Sequence, residues 1–231
     1  MTAAGGEPLI AVVDYGAGNL VSIDQALTTV GARVVVVRSG DELEASGADA
    51  LVVPGVGAAA PTMDRLFGAD LVSPIKGWIA DGRPYLGICL GLQLLFEGSD
   101  EDGATTLGVL RGRTVELEDT PTLPHIGWNQ VERRNAHPLF DGIRPSADFY
   151  FVHSYAGAPA AADEAAALAD TTHGRPFVSA IAVEGLFGVQ FHPERSGTDG
   201  LRLLANFVAI VRSSAATASR NAVTSSTGVH A

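Results

Sequence analysis

GRPYLGICLGLQLLFEGS, residues 82–99, is the stretch of sequence that decides the fold and the chemistry of this chain. Residues 84–86 predict a strand, and residues 92–97 have the composition of a helix. The only cysteine, Cys89, stands between them, with Gly87 and Gly91 two positions away on either side. Small residues at this spacing allow a sharp strand-to-helix turn that presents a nucleophile above the sheet. The N–H groups at the start of the helix would stabilise negative charge on the sulfur, so the pattern predicts a catalytic cysteine.

The segment Phe191-His192-Pro193-Glu194 supplies the other groups that a cysteine nucleophile requires. A base activates the thiol and an acid orients that base. His192 and Glu194 are two positions apart, so at the end of a strand their side chains point to the same face. Pro193 cannot donate a ladder hydrogen bond, and we expect the strand to stop there. A lone cysteine is usually a small buried residue and an isolated His-Pro-Glu is usually a surface turn, so the triad prediction rests on their combination.

Alternating strand and helix patterns in the first half of the chain predict a parallel sheet. Apolar runs at Leu9–Val13, Val34–Val37 and Ala50–Val53 are separated by helical or turn-like sequence. Helical stretches at 61–68 and 72–81 then lead to the strand before Cys89. The unbroken β-branched run at Val34–Val37 is typical of a strand that is buried on both faces.

The second half of the chain, after residue 105, has short apolar runs separated by turn residues and ends in an amphipathic helix at 201–211. We expect antiparallel strands here that extend the same sheet. The fold class is therefore α/β, doubly wound, with a mostly parallel central sheet extended by antiparallel strands and helices on both faces. We predict one domain over residues 8–212 and disordered termini at 1–7 and 213–231.

Composition excludes several classes of function. The 231 residues are 46% hydrophobic, enough for one domain with a full core. A net charge of −11 argues against a nucleic-acid-binding surface. No apolar run is long enough to cross a membrane, and the first residues do not resemble a signal peptide. One cysteine cannot form an internal disulfide, which favours a cytoplasmic location, and no ligand spacing indicates a metal or cofactor.

Two glycine-containing loops follow predicted strands. Pro54-Gly55-Val56-Gly57 is either an ordinary turn or a donor of backbone N–H groups to an oxyanion, since its glycines permit unusual φ angles and leave room for a substrate. The loop at 14–19 lacks the spacing of a dinucleotide fingerprint and the lysine of a P-loop, so we reject nucleotide binding there. Four other histidines have no carboxylate at a suitable spacing and are assigned to the core or the surface: His125, His137, His153 and His173.

Six stretches, in order along the chain, resemble class I glutamine amidotransferases and, more narrowly, the glutaminase subunits of bacterial imidazole glycerol phosphate synthases. These are DYGAGNL (14–20), PGVGA (54–58), GRPYLGICLGLQLLFEGS (82–99), PHIGWNQV (124–131), FYFVHSY (149–155) and GVQFHPERSG (188–197). The elbow and the His-Pro-Glu motif are shared by the wider class, whereas DYGAGN, PHIGWN and FVHSY are particular to these subunits. Where the family commonly has lysine, this chain has Arg195.

The resemblance implies a role for each matching residue. Cys89 would attack the carboxamide of glutamine, His192 would transfer protons, and Glu194 would orient the imidazole. Substrate and oxyanion groups are implied at Gly55, Val56, Gly57, Leu90, Gln93, Ser154 and Tyr155. The implied partner is a (β/α)8 cyclase subunit in a heterodimer, which uses the ammonia to form imidazole glycerol phosphate and AICAR in histidine biosynthesis. The implied docking face comprises Asn19, Pro124, Ile126, Trp128, Asn129 and Arg195.

Other functions stay open on the sequence. The chain could serve another synthase, of the anthranilate or aminodeoxychorismate type, although PHIGWN favours the first assignment. It could also be a stand-alone cysteine hydrolase on the same sheet, acting without a partner. A non-catalytic regulatory module is disfavoured because all three triad residues are present.

Overall fold

A computed structural model describes residues 6–226 of the chain, with side chains up to residue 216. The strands are β1 (Leu9–Val13), β2 (Arg33–Val37), β3 (Ala50–Gly55), β4 (Tyr85–Cys89), β5 (Gly98–Ser99), β6 (Gly112–Glu116), β7 (His125–Arg133), β8 (Ala147–His153), β9 (Tyr155–Pro159), β10 (Ala167–His173), β11 (Arg175–Val183) and β12 (Leu186–Val189). The helices are α1 (Leu20–Thr29), α2 (Gly40–Ala45), α3 (Ala59–Gly68), α4 (Val72–Ala80), α5 (Leu90–Gln93) and α6 (Gly197–Ser226).

Nine strands form a central sheet in the order β2-β1-β3-β4-β12-β11-β10-β7-β8. The first five are parallel, and the rest are added antiparallel. Ile10 and Val12 of β1 face a core that includes side chains of α1 and α6, whereas Ala11 and Val13 face the core of α2, α3 and α4. Helices therefore cover both faces, and the prediction of a doubly wound α/β fold is confirmed.

Two details of the sheet differ from the sequence prediction. β2 is the edge strand and its residues from Arg33 to Val36 are exposed or half-buried, so the prediction of a strand buried on both faces is wrong. A β-branched run indicates the propensity to form a strand. The burial of that strand also depends on whether another strand lies beside it on each edge. In addition, β5, β6 and β9 form a separate three-stranded sheet and do not extend the central one.

The last helix is longer than the sequence indicated. The sequence predicts this helix over 201–211, but α6 spans Gly197–Ser226, and its Ser213 and Ser214 hydroxyls donate to the carbonyl oxygens of Ala209 and Ile210. No glycine or proline lies between 201 and 226 to end the helix. The predictions for residues 1–5 and 227–231 lie outside the described residues. Within residues 6–226, no helix combines the length and hydropathy that crossing a membrane would require.

Candidate active site

Cys89 occupies a strained turn between β4 and α5. Its φ of 54° and ψ of −109° place it in a region that is costly for a residue with a Cβ. A Cβ on Gly87 would lie 2.4 Å from the carbonyl oxygen of Gly91, and a Cβ on Gly91 would lie 1.8 Å from the carbonyl oxygen of Val53. The predicted sharp turn is confirmed, and both glycines are needed for it.

The helix after Cys89 is shorter than predicted. α5 has four residues, and a helix over 92–97 is wrong. The carbonyl oxygens of Leu94, Leu95 and Phe96 accept hydrogen bonds from backbone N–H groups at 107–109, and all three side chains are fully buried. Hydrogen bonds to a distant segment thus replace the hydrogen bonds that would continue the helix. A helix of one turn has a smaller dipole than the longer helix that the sequence predicted. Stabilisation of a negative charge on the sulfur therefore depends more on other hydrogen-bond donors nearby.

His192 immediately precedes a short 3-10 turn beyond β12 and Glu194 lies within that turn, so neither is on the strand end that the sequence predicted. The turn still brings them together: His192 Nδ1 is 2.8 Å from Glu194 Oε1, and the two side chains are 6% and 4% exposed. Nε2 of His192 is buried without a hydrogen-bond partner among the described residues. The pairing fixes Nδ1 against the carboxylate and leaves Nε2 for proton transfer.

The electrostatics of His192 favour the charged ring. Burial alone would lower its pKa, but the interactions of the ring with Cys89 and Glu194 outweigh burial and raise the pKa to about 10. An imidazolium beside a thiolate is the resting form that nucleophilic cysteines use. Ser196 links the backbone of His192 to that of Tyr150 in β8. Its Oγ donates to the His192 carbonyl at 2.6 Å and accepts from the Tyr150 N–H at 3.0 Å.

A cavity of about 290 Å³ opens beside Cys89. Its volume is near the lower end of small-molecule sites, roughly 300–1,000 Å³, and suits an amino acid. Of the predicted substrate and oxyanion residues, the cavity is lined by Val56, Gly57, Gln93, Ser154 and Tyr155, whereas Gly55 and Leu90 are buried and do not line it. A larger cavity, of about 430 Å³, is lined mainly by β9, β11 and neighbouring loops and contains no cysteine, serine or histidine.

β3 places the Pro54–Gly57 loop next to the nucleophile, because Gly55 pairs with Cys89 in the sheet. The Tyr15 hydroxyl donates to the Pro54 carbonyl at 3.0 Å, and a Cβ on Gly55 would lie 2.4 Å from this hydroxyl oxygen. Gly55 therefore makes room for Tyr15, whereas the sequence interpretation had it make room for substrate. Gly57 has a φ of 93°, as the interpretation of a glycine-dependent turn requires. Burial and the charge of Cys89 raise the pKa of Tyr15, which keeps it a neutral donor.

Sequence reasoning missed three residues with contacts in the site. Gln190 Nε2 lies 3.5 Å from Cys89 Sγ. His153, assigned from sequence to the core or the surface, lines the cavity, and Tyr15 anchors the Pro54 carbonyl. None of the three stands at a spacing that indicates chemistry. The one available signal was the position of all three residues inside motifs already singled out for other residues.

The predicted docking face is apolar and exposed on β7. Ile126 and Trp128 are 61% and 58% exposed and lie on the same side of the strand. Trp128 packs edge-on against Tyr150 with ring centroids 6.2 Å apart, and the Arg195 guanidinium lies 4.2 Å from the centroid of the same Tyr150 ring. The planar guanidinium stacks on this ring in a way that a lysine would not reproduce.

The other three predicted docking residues have different surroundings. Asn19 and Pro124 are exposed, and Asn19 caps α1 by accepting a hydrogen bond from the Ser22 N–H. Asn129 is half-buried, and its amide nitrogen donates to the Thr172 carbonyl and to His125 Nε2. Asn129 is thus engaged inside the chain and offers little to a partner.

Known proteins resemble the chain over nearly all of its length. The family described as glutamine amidotransferase class-I matches residues 11–211. "Imidazole glycerol phosphate synthase subunit HisH" of Thermosynechococcus vestitus is 48% identical over 209 residues, which are 89% of this chain and 98% of the relative. The protein of the same name from Aquifex aeolicus is 47% identical over 197 residues, 85% of this chain and 94% of the relative.

Solved structures share the fold at lower identity. A crystal structure described as glutamine amidotransferase superposes with a TM-score of 0.68 at 20% identity, covering 87% of this chain and 98% of the other. The structure of PurLQS from Thermotoga maritima gives a TM-score of 0.71 at 17% identity, covering 89% of this chain and 99% of the other chain. At these identities the likeness concerns the fold alone.

Proposed function

The chain belongs to the class I glutamine amidotransferase family, and we propose that it is the glutaminase subunit of an imidazole glycerol phosphate synthase. The observation that carries the proposal is the buried Cys89, His192 and Glu194 constellation in a chain 48% identical to a subunit of that synthase. The relatives described above bear this subunit's name, which favours it over a subunit of another synthase or a stand-alone hydrolase.

In the first half of the proposed reaction, the Cys89 thiolate attacks the side-chain carboxamide carbon of glutamine. Negative charge develops on the carbonyl oxygen, and backbone N–H groups of Leu90 and of the Pro54–Gly57 loop would stabilise it. The tetrahedral intermediate collapses as ammonia leaves with a proton from His192 Nε2. A γ-glutamyl thioester on Cys89 remains.

In the second half, His192 is neutral and accepts a proton from water, which attacks the thioester. The products are glutamate and the regenerated thiolate. Glu194 holds Nδ1 throughout, so Nε2 faces the reacting atoms, and it stabilises the imidazolium that forms. Gln93, Ser154 and Tyr155 line the cavity where the amino-acid end of glutamine would bind.

The released ammonia needs an acceptor before water protonates it, so the proposal includes a partner. The partner is a (β/α)8 cyclase in a heterodimer, docked on the exposed Ile126 and Trp128 of β7 and on Arg195. Cytoplasmic location is part of the proposal, because a reducing compartment keeps the single cysteine as a thiol.

The test is the Cys89→Ala chain reconstituted with the cyclase. Glutamine-dependent product formation should be lost, whereas the same complex supplied with free ammonia should form product at the parental rate. The ammonia reaction is the control for folding and docking. Residual glutamine hydrolysis would indicate another nucleophile, and failure of the parent chain to supply the cyclase would refute the assignment of the synthase.

A further inference from the structure

Gln190 is a fully buried side chain in contact with the nucleophile. It lies just beyond β12, and its backbone N–H donates to the Ser179 carbonyl at 2.9 Å. Its amide nitrogen is 3.5 Å from Cys89 Sγ, and its amide oxygen accepts from Gln93 Nε2 at 3.0 Å. Both ends of the Gln190 amide are therefore engaged in the site.

The orientation of the Gln190 amide follows from an acceptor that cannot donate. The carbonyl oxygen of Tyr155 lies 2.7 Å from the Gln93 amide, so the group facing it must be the nitrogen, Nε2. The same Nε2 contacts Gln190, whose facing atom must then be the oxygen. The nitrogen of Gln190 is left facing the sulfur of Cys89.

A pair of histidines supports the Tyr155 carbonyl. His153 Nδ1 lies 2.8 Å from this oxygen and must donate to it. Burial lowers the pKa of His153 to about 3 and that of His125 to about 4, so both rings are neutral at neutral pH. His153 Nε2 therefore accepts from His125 Nδ1 at 3.1 Å, and His125 Nε2 accepts from the Asn129 amide at 3.2 Å. Each hydrogen bond in this series, from the Asn129 amide to the Tyr155 carbonyl, therefore has only one possible donor.

We propose that Gln190 is a positioning residue for Cys89, donating a hydrogen bond to the thiolate sulfur from an orientation that His153 and Gln93 hold through the Tyr155 carbonyl. The inference rests on the proposed role of Cys89 as nucleophile. A donor to sulfur favours the thiolate over the thiol and restrains the side chain beside the cavity. With only one helical turn after Cys89, this buried donor takes over part of the stabilisation that a longer helix would give.

The first test measures the alkylation of Cys89, the only cysteine, by iodoacetamide in the chain without partner or glutamine. Gln190→Leu removes the amide, and Gln190→Glu keeps an oxygen for Gln93 but loses the donor to sulfur. Both variants should react about tenfold more slowly at pH 7, equal the parent at high pH, and show a rate profile displaced to higher pH. Thr171→Val is the control, because the Thr171 hydroxyl is buried without a partner among the described residues and should leave the profile unchanged. A parental pH profile in both Gln190 variants would overturn the proposal.

The second test addresses the orientation. Asn at position 153 carries an amide nitrogen three bonds from Cα, as Nδ1 of histidine does, so His153→Asn can still donate to the Tyr155 carbonyl. His153→Phe cannot. Alkylation should stay within about twofold of the parent for His153→Asn and slow about threefold or more for His153→Phe. Equal rates in the two variants would remove His153 from the proposal.

A third measurement separates this inference from the proposed function. In the complex with the cyclase, Gln190→Leu should lower kcat of glutamine hydrolysis more than it changes KM, because the sulfur is affected and the cavity is not. A parental complex without glutaminase activity would refute the proposed function, yet the alkylation profiles would still decide whether Gln190 positions Cys89. An unchanged kcat in Gln190→Leu would contradict the positioning role.

Discussion

Adding one methyl group at Gly91 should disable the elbow that presents Cys89. The new Cβ would lie 1.8 Å from the carbonyl oxygen of Val53, whereas real Cβ contacts essentially never fall below 3.0 Å. The obstructing atom belongs to the backbone of β3 and cannot rotate away. The chain must therefore open by more than 1 Å between β3 and the turn, where Gly55 and Cys89 are paired.

The size of the effect follows from that displacement. Overpacking costs about 1–3 kcal/mol even where side chains can adjust, so Gly91→Ala should lower the free energy of unfolding by at least about 3 kcal/mol. A misplacement of about 1 Å can cost about 100-fold in catalysis, and kcat/KM for glutamine should fall at least that far in the complex with the cyclase. Urea unfolding measures the first quantity and coupled ammonia release the second.

Gly77→Ala is the matched control. Gly77 lies inside α4 with nothing within 4 Å of its would-be Cβ, so alanine should stabilise the helix by about 0.5–1 kcal/mol and leave activity unchanged. Opposite signs for the two substitutions are expected. If Gly91→Ala unfolded at the parental urea concentration and kept its activity, the steric account of the elbow would be refuted.

Four further results are expected. Glu194→Gln keeps the side chain's size but not its charge, so glutaminase kcat should fall less than in His192→Ala, where the proton-transfer group itself is lost; steady-state kinetics in the reverse order would contradict these roles. The chain alone should release ammonia slowly and accelerate only with ligand-loaded cyclase, because the glycines that flank Val56 would allow one peptide to turn its N–H towards Cys89 when the acceptor is in place; equal rates alone, with empty cyclase and with loaded cyclase would leave no role for such a switch. Trp128→Ala should weaken cyclase binding by about 2 kcal/mol or more in calorimetry while changing the free energy of unfolding by less than about 0.5 kcal/mol, because the side chain is exposed; an unchanged affinity would exclude it as an anchor. Stability should fall as the pH drops from 6.5 towards 4, by up to about 1.4 kcal/mol per unit for each of His153 and His125, because the unfolded chain binds protons that these two folded rings, with their pKa values lowered by burial to about 3 and about 4, do not; His153→Asn should reduce this loss in urea titrations.

Local signals were reliable where one short segment determines its own conformation. The Gly87-x-Cys89-x-Gly91 turn depends on backbone sterics within a few residues, and its strained φ was foreseeable. The helix at Gly40–Ala45 was overlooked, although Ser39 and Glu42 stand at the spacing of a capping box and the Ser39 hydroxyl accepts from the Glu42 N–H. The sequence therefore carries a local signal for the start of this helix.

The sequence predictions that are wrong concern segments whose structure depends on contacts with distant parts of the chain. The helix after Cys89 ends early because backbone N–H groups at 107–109 take the carbonyl oxygens of Leu94, Leu95 and Phe96. β2 is an edge strand because it pairs with β1 on one side and with no strand of the sheet on the other. The composition of β2 does not indicate this position. Hydrophobic periodicity depends only on residues that are close together in the sequence. It cannot predict contacts between segments that are distant in the sequence.

The sequence by itself determined the α/β class, the elbow at Cys89, the identities of His192 and Glu194, and the family, because each depends on residue types at short spacings. Only the tertiary structure decided which remaining polar groups reach the sulfur. Gln190 and His153 stand 101 and 64 positions from Cys89 along the chain. Their hydrogen bonds exist because β12 lies beside β4 and because Ser154 and Tyr155 follow β8 into the cavity. Hydrogen bonds act over about 3 Å, and only the folded sheet brings such distant positions that close.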